Sequence, residues 1–142
     1  MKISTRGKYG LNAMIDIAVF GKDEYISLKS IAERQNISEH YLEQLISPLK
    51  KAGLVKSVRG AQGGYKIADS AENIKVGTIL RVLETSFSSE CCDEKTAACP
   101  ENCLNCVTKT VWEKIKESTN KAADSITLNE LALEYKNINN IK

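Results

Sequence analysis

Residues 27–67, SLKSIAERQNISEHYLEQLISPLKKAGLVKSVRGAQGGYKI, decide the fold of this chain. Ser27 is a suitable N-cap, and the apolar residues behind it recur at helical spacing, which predicts a short helix. The pattern is interrupted at residues 35–37, and Ser38 can cap a second helix that runs through Lys51. Gly53 is a suitable residue to end it. One face of this second helix is apolar and is therefore expected in a core: Leu42, Leu45, Ile46 and Leu49.

The opposite face of the second helix is polar near its N-terminus. It carries Glu39, His40, Glu43 and Gln44. Such groups can meet base edges, and the recognition helix of a helix-turn-helix protein reads DNA with its N-terminal residues. Two helices joined by a short turn also occur in many proteins that do not bind DNA, so the pair alone leaves both interpretations open.

A basic hairpin is predicted directly behind the helix pair. Two short alternating runs, residues 54–58 and 65–69, flank the glycine-rich sequence RGAQGG. From Pro48 to Lys66 the chain holds five Lys and Arg residues and no carboxylate. A hairpin with Arg59 at its tip suits a minor groove, and Lys50 and Lys51 suit phosphates. A glycine-rich hairpin can be only a hairpin, but in this position it favours a winged helix-turn-helix.

The totals describe an ordinary globular protein. The chain has 142 residues, of which 42% are hydrophobic and 27% charged, enough for one compact unit with its own core. The N-terminal sequence MKISTRGKYG lacks an apolar signal region, and no run approaches membrane length, so we expect a cytoplasmic protein without membrane contact. We find no nucleophile–base pair, phosphate-binding loop or carboxylate dyad, which argues against an enzyme.

The net charge of +2 is divided unevenly along the chain. Residues 1–66 hold eleven Lys and Arg against six Asp and Glu, a net +5. Residues 67–142 hold nine against twelve, a net −3. This asymmetry places the part that would bind a polyanion in the first half.

The flanking sequence completes the predicted fold, which is mainly α with a small β-hairpin wing. Residues 4–20 and 76–83 have apolar stripes at helical spacing, and basic residues lead the first stripe, where they either end in solvent or contact phosphates. We expect a winged helix-turn-helix domain over residues 1–84, a cysteine-rich sensor loop over residues 85–105, and a long dimerisation helix with the C-terminal segment over residues 106–142. Thr127 and Glu130 form a capping-box pattern for the last helix.

The long helix predicted after residue 106 carries an apolar seam that no neighbouring element obviously covers: Val107, Val111, Trp112, Ile115, Ala122 and Ile126. Such a seam either packs on its own domain or forms a dimer interface, and we favour the interface. Two copies of residues 27–67, a unit that we call the reading head, would meet a palindromic operator when they are related by a two-fold axis. The half-sites would then lie one helical turn or more apart.

All five cysteines fall within sixteen residues: Cys91, Cys92, Cys99, Cys103 and Cys106. In a cytosolic chain, thiols at this density are better interpreted as metal-binding or redox groups than as disulfides. Three or four thiolates in a loop before a helix can enclose one soft metal centre, such as an iron–sulfur cluster. A thiol sensor without metal, a structural zinc site and a loop without a role remain open. The sole histidine lies in the predicted recognition helix and is a poor fourth ligand.

The chain resembles a known family through three stretches: RGKYG near the start, ISEHYLEQLISPLKKAGLVKSVRGAQGGY, and the cysteine loop followed by VWEKI. The family is that of the small dimeric winged-helix transcriptional regulators of the IscR, NsrR and CymR type, and the likeness is closest to IscR-like iron–sulfur members. The resemblance implies a homodimeric regulator of double-stranded DNA, here expected to be a repressor. In IscR-like and NsrR-like members, three loop cysteines hold a [2Fe–2S] or [4Fe–4S] cluster that sets DNA choice or affinity.

The same resemblance implies particular site residues. It matches the cluster cysteines to Cys92, Cys99 and Cys106. The fourth ligand departs from the family, because Lys109 stands where IscR-like proteins have a histidine and Lys8 where NsrR-like proteins have an aspartate. Cys103 or Cys91 is the remaining candidate. The resemblance places the DNA contacts at Ser38, His40, Tyr41, Glu43, Gln44, Arg59 and Gly60.

Two modes of control stay open at this point. In the first, an iron–sulfur cluster on the loop cysteines sets operator binding. In the second, which the resemblance to CymR-like members implies, the regulator has no cluster and responds to thiol redox state or to a partner protein.

Overall fold

The computed structural model describes residues 3–84, 87 and 107–142. In these ranges it contains six helices and one two-stranded antiparallel sheet, which confirms the predicted mainly α fold with a hairpin wing. The elements are, in chain order, α1 (Thr5–Phe20), α2 (Leu28–Gln35), α3 (Glu39–Lys51), β1 (Val55–Val58), β2 (Gly64–Ile67), α4 (Val76–Leu83), α5 (Lys109–Asp124) and α6 (Leu128–Ile138).

The helices begin where their capping residues predict. The hydroxyl groups of Ser27 and Ser38 accept the backbone N–H of the residue three positions later, at 3.2 and 3.1 Å. Thr127 and Glu130 form the complete capping box, each side chain accepting the other's backbone N–H at 3.2 Å. These bonds satisfy amide groups that the first turn of a helix leaves without a partner.

The ends of α2 and α3 set the angles between the elements of the reading head. Asn36 has φ 53° and Gly53 has φ 79°, both in the left-handed region that follows many helices. The N–H of Ile37 bonds to the carbonyl of Ala32 at 3.1 Å, and the N–H of Leu54 bonds to that of Leu49 at 3.0 Å. Each bond closes a helix end and turns the chain, so that α2 packs on α3 and α3 packs on β1.

The wing, defined as β1, β2 and residues 59–63 between them, is tied to the segment ahead of α2. Val55 pairs with Ile67 and Val58 with Gly64. On its other edge β2 pairs with Ile26, through N–H to carbonyl bonds of 2.9 and 2.7 Å with Tyr65. A Cβ atom at Gly64 would overlap the Ile26 carbonyl, so this approach requires glycine. The wing is therefore fixed relative to the helix pair.

The core lies between α1 and the elements around it. Its largest fully buried apolar side chains come from five helices: Met14, Ile17, Ile31, Leu42, Leu45, Ile46, Leu49, Ile79 and Leu128. The predicted inward face of α4 is buried, as are the four predicted core residues of α3. α6 packs along α1, and the N–H of Leu128 bonds to the carbonyl of Ile74 at 2.8 Å. The C-terminal helix thus packs into the same core as α1.

α5 departs from this pattern because, among the residues that the structure describes, its contacts with α4 come from its last turns. Its end is held to α4 by Arg81, whose Nη2 lies 2.7 Å from Asp124 Oδ1. Towards its start, Val107, Val111, Trp112 and Ile115 are 87, 51, 48 and 46% exposed. The prediction of an uncovered apolar seam is confirmed for these residues. Two residues of the predicted seam lie outside the helix, however, because Val107 precedes it and Ile126 follows it. None of the helices described is long and apolar enough to cross a membrane.

Candidate nucleic-acid interface

The polar face of α3 lies in solvent, as the sequence predicts. His40, Glu43 and Gln44 are exposed, whereas the residues on the opposite face are at most 1% exposed. The ring nitrogen Nε2 of His40 lies 3.2 Å from Nε2 of Gln44, so the two side chains support each other one helical turn apart. This face can meet another molecule without unfolding any part of the core.

A cation from α1 joins this face. Arg6 lines an open depression of about 520 Å³ together with residues of α3, namely His40, Glu43, Gln44, Ser47, Pro48 and Lys51. The sequence leaves open whether the basic residues at the beginning of the first helix end in solvent or contact phosphates, and the structure places one of them, Arg6, beside the polar face. Ser47 was missed from sequence, although it lies one turn beyond Glu43 and Gln44 on the same side, a spacing that could have revealed it.

The wing adds exposed positive charge. Arg59 and Gly60 lie exposed at its tip, where Gly60 has φ 121° and its carbonyl accepts the Gly63 N–H at 3.0 Å. Lys50 and Lys51, in the last turn of α3, are also exposed. Within the ranges that the structure describes, none of these three cations forms an ion pair. They are available to neutralise phosphates.

We call the exposed polar side of α3, formed by His40, Glu43 and Gln44, the reading face. Glu43 connects it electrostatically to the wing. Burial raises the pKa of Tyr65 in β2, and the nearby carboxylate of Glu43 raises it further. Tyr65 was missed from sequence because nothing in a local pattern places β2 near the start of α3. The Glu43 carboxylate therefore lies both on the polar face of α3, as the spacing along α3 predicts, and near the wing.

Two of the predicted contact residues also have a structural role. The Ser38 hydroxyl is the cap of α3, as described above, and the ring of Tyr41 lies edge-on against that of Tyr9 with 6.1 Å between centroids. Tyr41 is half-buried as a result. The other predicted contacts, His40, Glu43, Gln44, Lys50, Lys51, Arg59 and Gly60, are exposed.

The predicted metal ligands Cys92, Cys99 and Cys106, with Cys103 and Cys91, lie outside the described residues. Within the described ranges, no group of three or more His, Cys, Asp and Glu side chains could hold a metal ion. Lys109 is the first residue of α5, and its Nζ lies 3.7 Å from Glu113 Oε1. A protonated lysine cannot donate a lone pair to a metal, so this position provides no fourth ligand.

Known proteins resemble the chain over nearly its whole length. The family described as "Rrf2: Iron-dependent Transcriptional regulator" matches residues 3–134. The HTH-type transcriptional regulator CymR of Bacillus subtilis strain 168 is 46% identical over 133 residues, which cover 93% of this chain and 90% of CymR.

Solved structures of two kinds of regulator also match. T. potens IscR has a TM-score of 0.76 and 49% identity, with 97% of this chain and 90% of that chain covered. CymR (YrzC), described as the global cysteine regulator of B. subtilis, has a TM-score of 0.77 and 42% identity, with 94% and 98% covered. The chain is thus similar to IscR and to CymR in about equal measure.

Proposed function

The chain belongs to the Rrf2 family of transcriptional regulators, and from this premise we propose that it is a dimeric repressor whose operator binding is set by its loop cysteines through an iron–sulfur cluster. Family membership confirms the predicted resemblance. It also confirms that the chain is a transcriptional regulator rather than an enzyme. The observation that carries the proposal is the exposed surface shared by α3, the wing and Arg6. The five cysteines follow these elements along the sequence.

The reading face supports direct recognition of bases. Gln44 can pair with the N6 and N7 positions of adenine, and Glu43 can accept a hydrogen bond from the amino group of cytosine. A carboxylate facing DNA costs affinity wherever it finds no donor, so Glu43 would discriminate among sequences. Arg59 in the wing would read minor-groove width, while Lys50 and Lys51 hold the phosphates.

The exposed seam of α5 supports a dimer. Val111, Trp112 and Ile115 are each about half exposed on one side of a 16-residue helix. A patch of large apolar side chains on a protruding helix is stabilised when a second copy covers it. Two copies related by a two-fold axis would present two reading heads to a palindromic site.

The cysteines fit an iron–sulfur cluster by their chemistry. Cys92, Cys99 and Cys106 would supply three soft thiolate ligands, and Cys103 or Cys91 a fourth. When bound, such a cluster supplies a centre that responds to iron supply and oxidants. The chain's own part is to hold this centre in the segment that links α4 to α5, between the reading head and the dimer seam.

A second mode is favoured by one specific observation. Lys109 stands where IscR-like proteins have a histidine ligand, and its ammonium group is directed to Glu113. Together with 46% identity to CymR, this supports a regulator without a cluster, controlled by thiol oxidation or by a partner protein.

Anaerobic purification separates the two modes. Iron and sulfide analysis with a visible spectrum, followed by DNA binding with the cluster kept and removed, tests the cluster directly. We expect a coloured protein whose DNA affinity changes when the cluster is removed. A colourless protein without iron after anaerobic reconstitution, whose DNA affinity responds to thiol oxidants, would establish the second mode instead.

A further inference from the structure

A buried carboxylate joins the two ends of the DNA-binding domain. Glu84 directly follows α4 and is only 5% exposed. Its Oε1 atom accepts two hydrogen bonds from Ser4, from the backbone N–H at 2.8 Å and from the hydroxyl at 2.7 Å. Ser4 is in turn the N-cap of α1 and accepts the Gly7 N–H at 3.2 Å.

Gly7 leaves the space that this contact needs. A Cβ atom at position 7 would overlap the carboxylate of Glu84, although φ at this helical position is ordinary. The carboxylate therefore lies against the first turn of α1, where free N–H groups and the helix dipole favour negative charge. Ser4, Gly7 and Glu84 form one closed unit, which we name the α1 clasp.

Arg6, the residue of α1 that reaches the DNA-binding surface, lies between two residues of the α1 clasp in the sequence. Arg6 lies in the same turn, between Ser4 and Gly7, and lines the depression beside His40 and Glu43. Its guanidinium group forms no ion pair within the part of the chain that the structure describes. Its position beside α3 thus depends on where the first turn of α1 is held.

We propose that Glu84 is a positioning residue for DNA binding, because it holds the start of α1, and with it Arg6, against the reading face of α3. The residue after Glu84 begins the segment that contains every cysteine. Of the three clasp residues, Glu84 is the one nearest in sequence to the cysteines, so a change at the cysteines would act on the clasp through Glu84. The inference rests on the proposed function and names a residue pair through which that function is controlled.

The positioning role is tested by a mutant cycle on DNA binding. The variants are Glu84→Ala, Arg6→Ala and the double variant, and the probe is a mixed-sequence duplex of three helical turns, titrated at several salt concentrations. We expect each single variant to make the log–log slope of affinity against salt shallower by about one unit, because one phosphate is no longer neutralised. The slope of the double variant should be no shallower than that of Arg6→Ala alone.

Two further variants separate positioning from general damage. Glu84→Gln keeps an acceptor for Ser4 and should restore most of the slope. Ile79→Val truncates a fully buried side chain of α4, the helix that Glu84 follows, and leaves Glu84 and Ser4 unchanged, so its slope should equal that of the wild type. A Glu84→Ala slope equal to wild type, or losses that add in the double variant, would overturn the inference while DNA binding stands. Wild-type protein without salt-dependent binding would overturn the proposed function itself.

Hydrogen exchange tests the link to the cysteine segment. We expect the amides of residues 7 and 8, which bond to Ser4 in the native turn, to exchange faster after the cysteines are alkylated with N-ethylmaleimide. In Glu84→Ala they should exchange fast before and after alkylation. Equal exchange in free and alkylated wild-type protein would show that the clasp does not respond to the cysteines.

Discussion

The guanidinium group of Arg34 is paired in a bidentate manner with the carboxylate of Asp16, whose side chain is completely buried. Nη2 lies 2.6 Å from Oδ1 and Nε lies 2.9 Å from Oδ2, and the amide of Gln35 donates a further bond to Oδ2 at 3.2 Å. The same guanidinium lies over the ring of Phe20, 4.3 Å from its centroid. One ion pair therefore fastens the first helix of the reading head to the central helix of the core.

Removing the cation alone should be costly. In Arg34→Met the carboxylate of Asp16 stays buried with one amide donor, and we expect a loss of about 3–5 kcal/mol in the free energy of unfolding. Urea denaturation measures this. The double variant with Asp16→Asn should recover part of the loss, because no buried charge is then left without its partner. Equal stability of the single and double variants would contradict this interpretation of the pair.

The same pair should not make stability depend on pH near neutrality. The hydrogen bond to Asp16 raises the pKa of Arg34 above its ordinary value. A group with a raised pKa contributes fully below its unfolded pKa and loses that contribution only as pH rises through the folded value. The stability difference between wild type and Arg34→Met should therefore be constant in urea titrations from neutral to mildly alkaline pH.

Dimerisation is expected to depend on the seam of α5. Trp112→Glu places a charge at the centre of the exposed patch, and we expect dimer affinity to fall by at least about 2 kcal/mol, or roughly thirtyfold. Sedimentation equilibrium measures the change. Thr110→Glu adds the same charge on the other side of the helix and serves as the control. A dimer of unchanged affinity in Trp112→Glu would place the interface elsewhere.

The cations of the wing and of α3 should respond differently to substitution. Arg59→Ala should lower affinity and relax the base preference where the wing enters the minor groove. Lys50→Ala or Lys51→Ala should weaken binding to all sequences alike and reduce the salt slope by about one for each phosphate that the variant no longer neutralises. Binding to a randomised DNA library, read by sequencing, distinguishes these results. An unchanged preference in Arg59→Ala would contradict the role of the wing.

Glu43 should act against DNA sequences that offer it no donor. Glu43→Ala removes an unpaired carboxylate from such complexes, so we expect the set of bound sequences to broaden and affinity for poor sites to rise. Competition between selected and unselected duplexes measures the ratio. Glu43→Gln is the matched control, since it keeps the size of the side chain and replaces the charged carboxylate with a neutral amide. A narrower set of bound sequences in Glu43→Ala would show that this carboxylate only forms favourable contacts with bases and excludes no sequence.

Cysteine substitutions should locate the cluster ligands. Cys92→Ala, Cys99→Ala and Cys106→Ala should each abolish the iron content of anaerobically purified protein. Of Cys91→Ala and Cys103→Ala, only the variant that removes the fourth ligand should change the visible spectrum. Loss of iron in Cys103→Ala with full iron in Cys99→Ala would show that the ligand assignment is shifted along the loop.

The sequence by itself determined the local parts of this protein. Helix starts at Ser27 and Ser38, the end of α3 at Gly53 and the buried face of α3 follow from periodicity and capping, which involve residues within one or two turns of each other. The exposed seam of α5 was also predictable, because no neighbouring element in the sequence obviously covers it. The expectation that α3 and the wing face DNA came from the pattern of charge along the chain.

Only the tertiary structure decided which distant side chains meet. The contacts of Glu84 with Ser4 and of Arg34 with Asp16, and the proximity of Glu43 to Tyr65, join residues that are adjacent only after the chain has packed around α1. Periodicity reports which face of an element is buried, but it carries no information about which polar group on another element will satisfy a buried charge. That choice depends on the positions of atoms across the core, and these positions place Arg6 beside the reading face and the carboxylate of Glu84 against the first turn of α1.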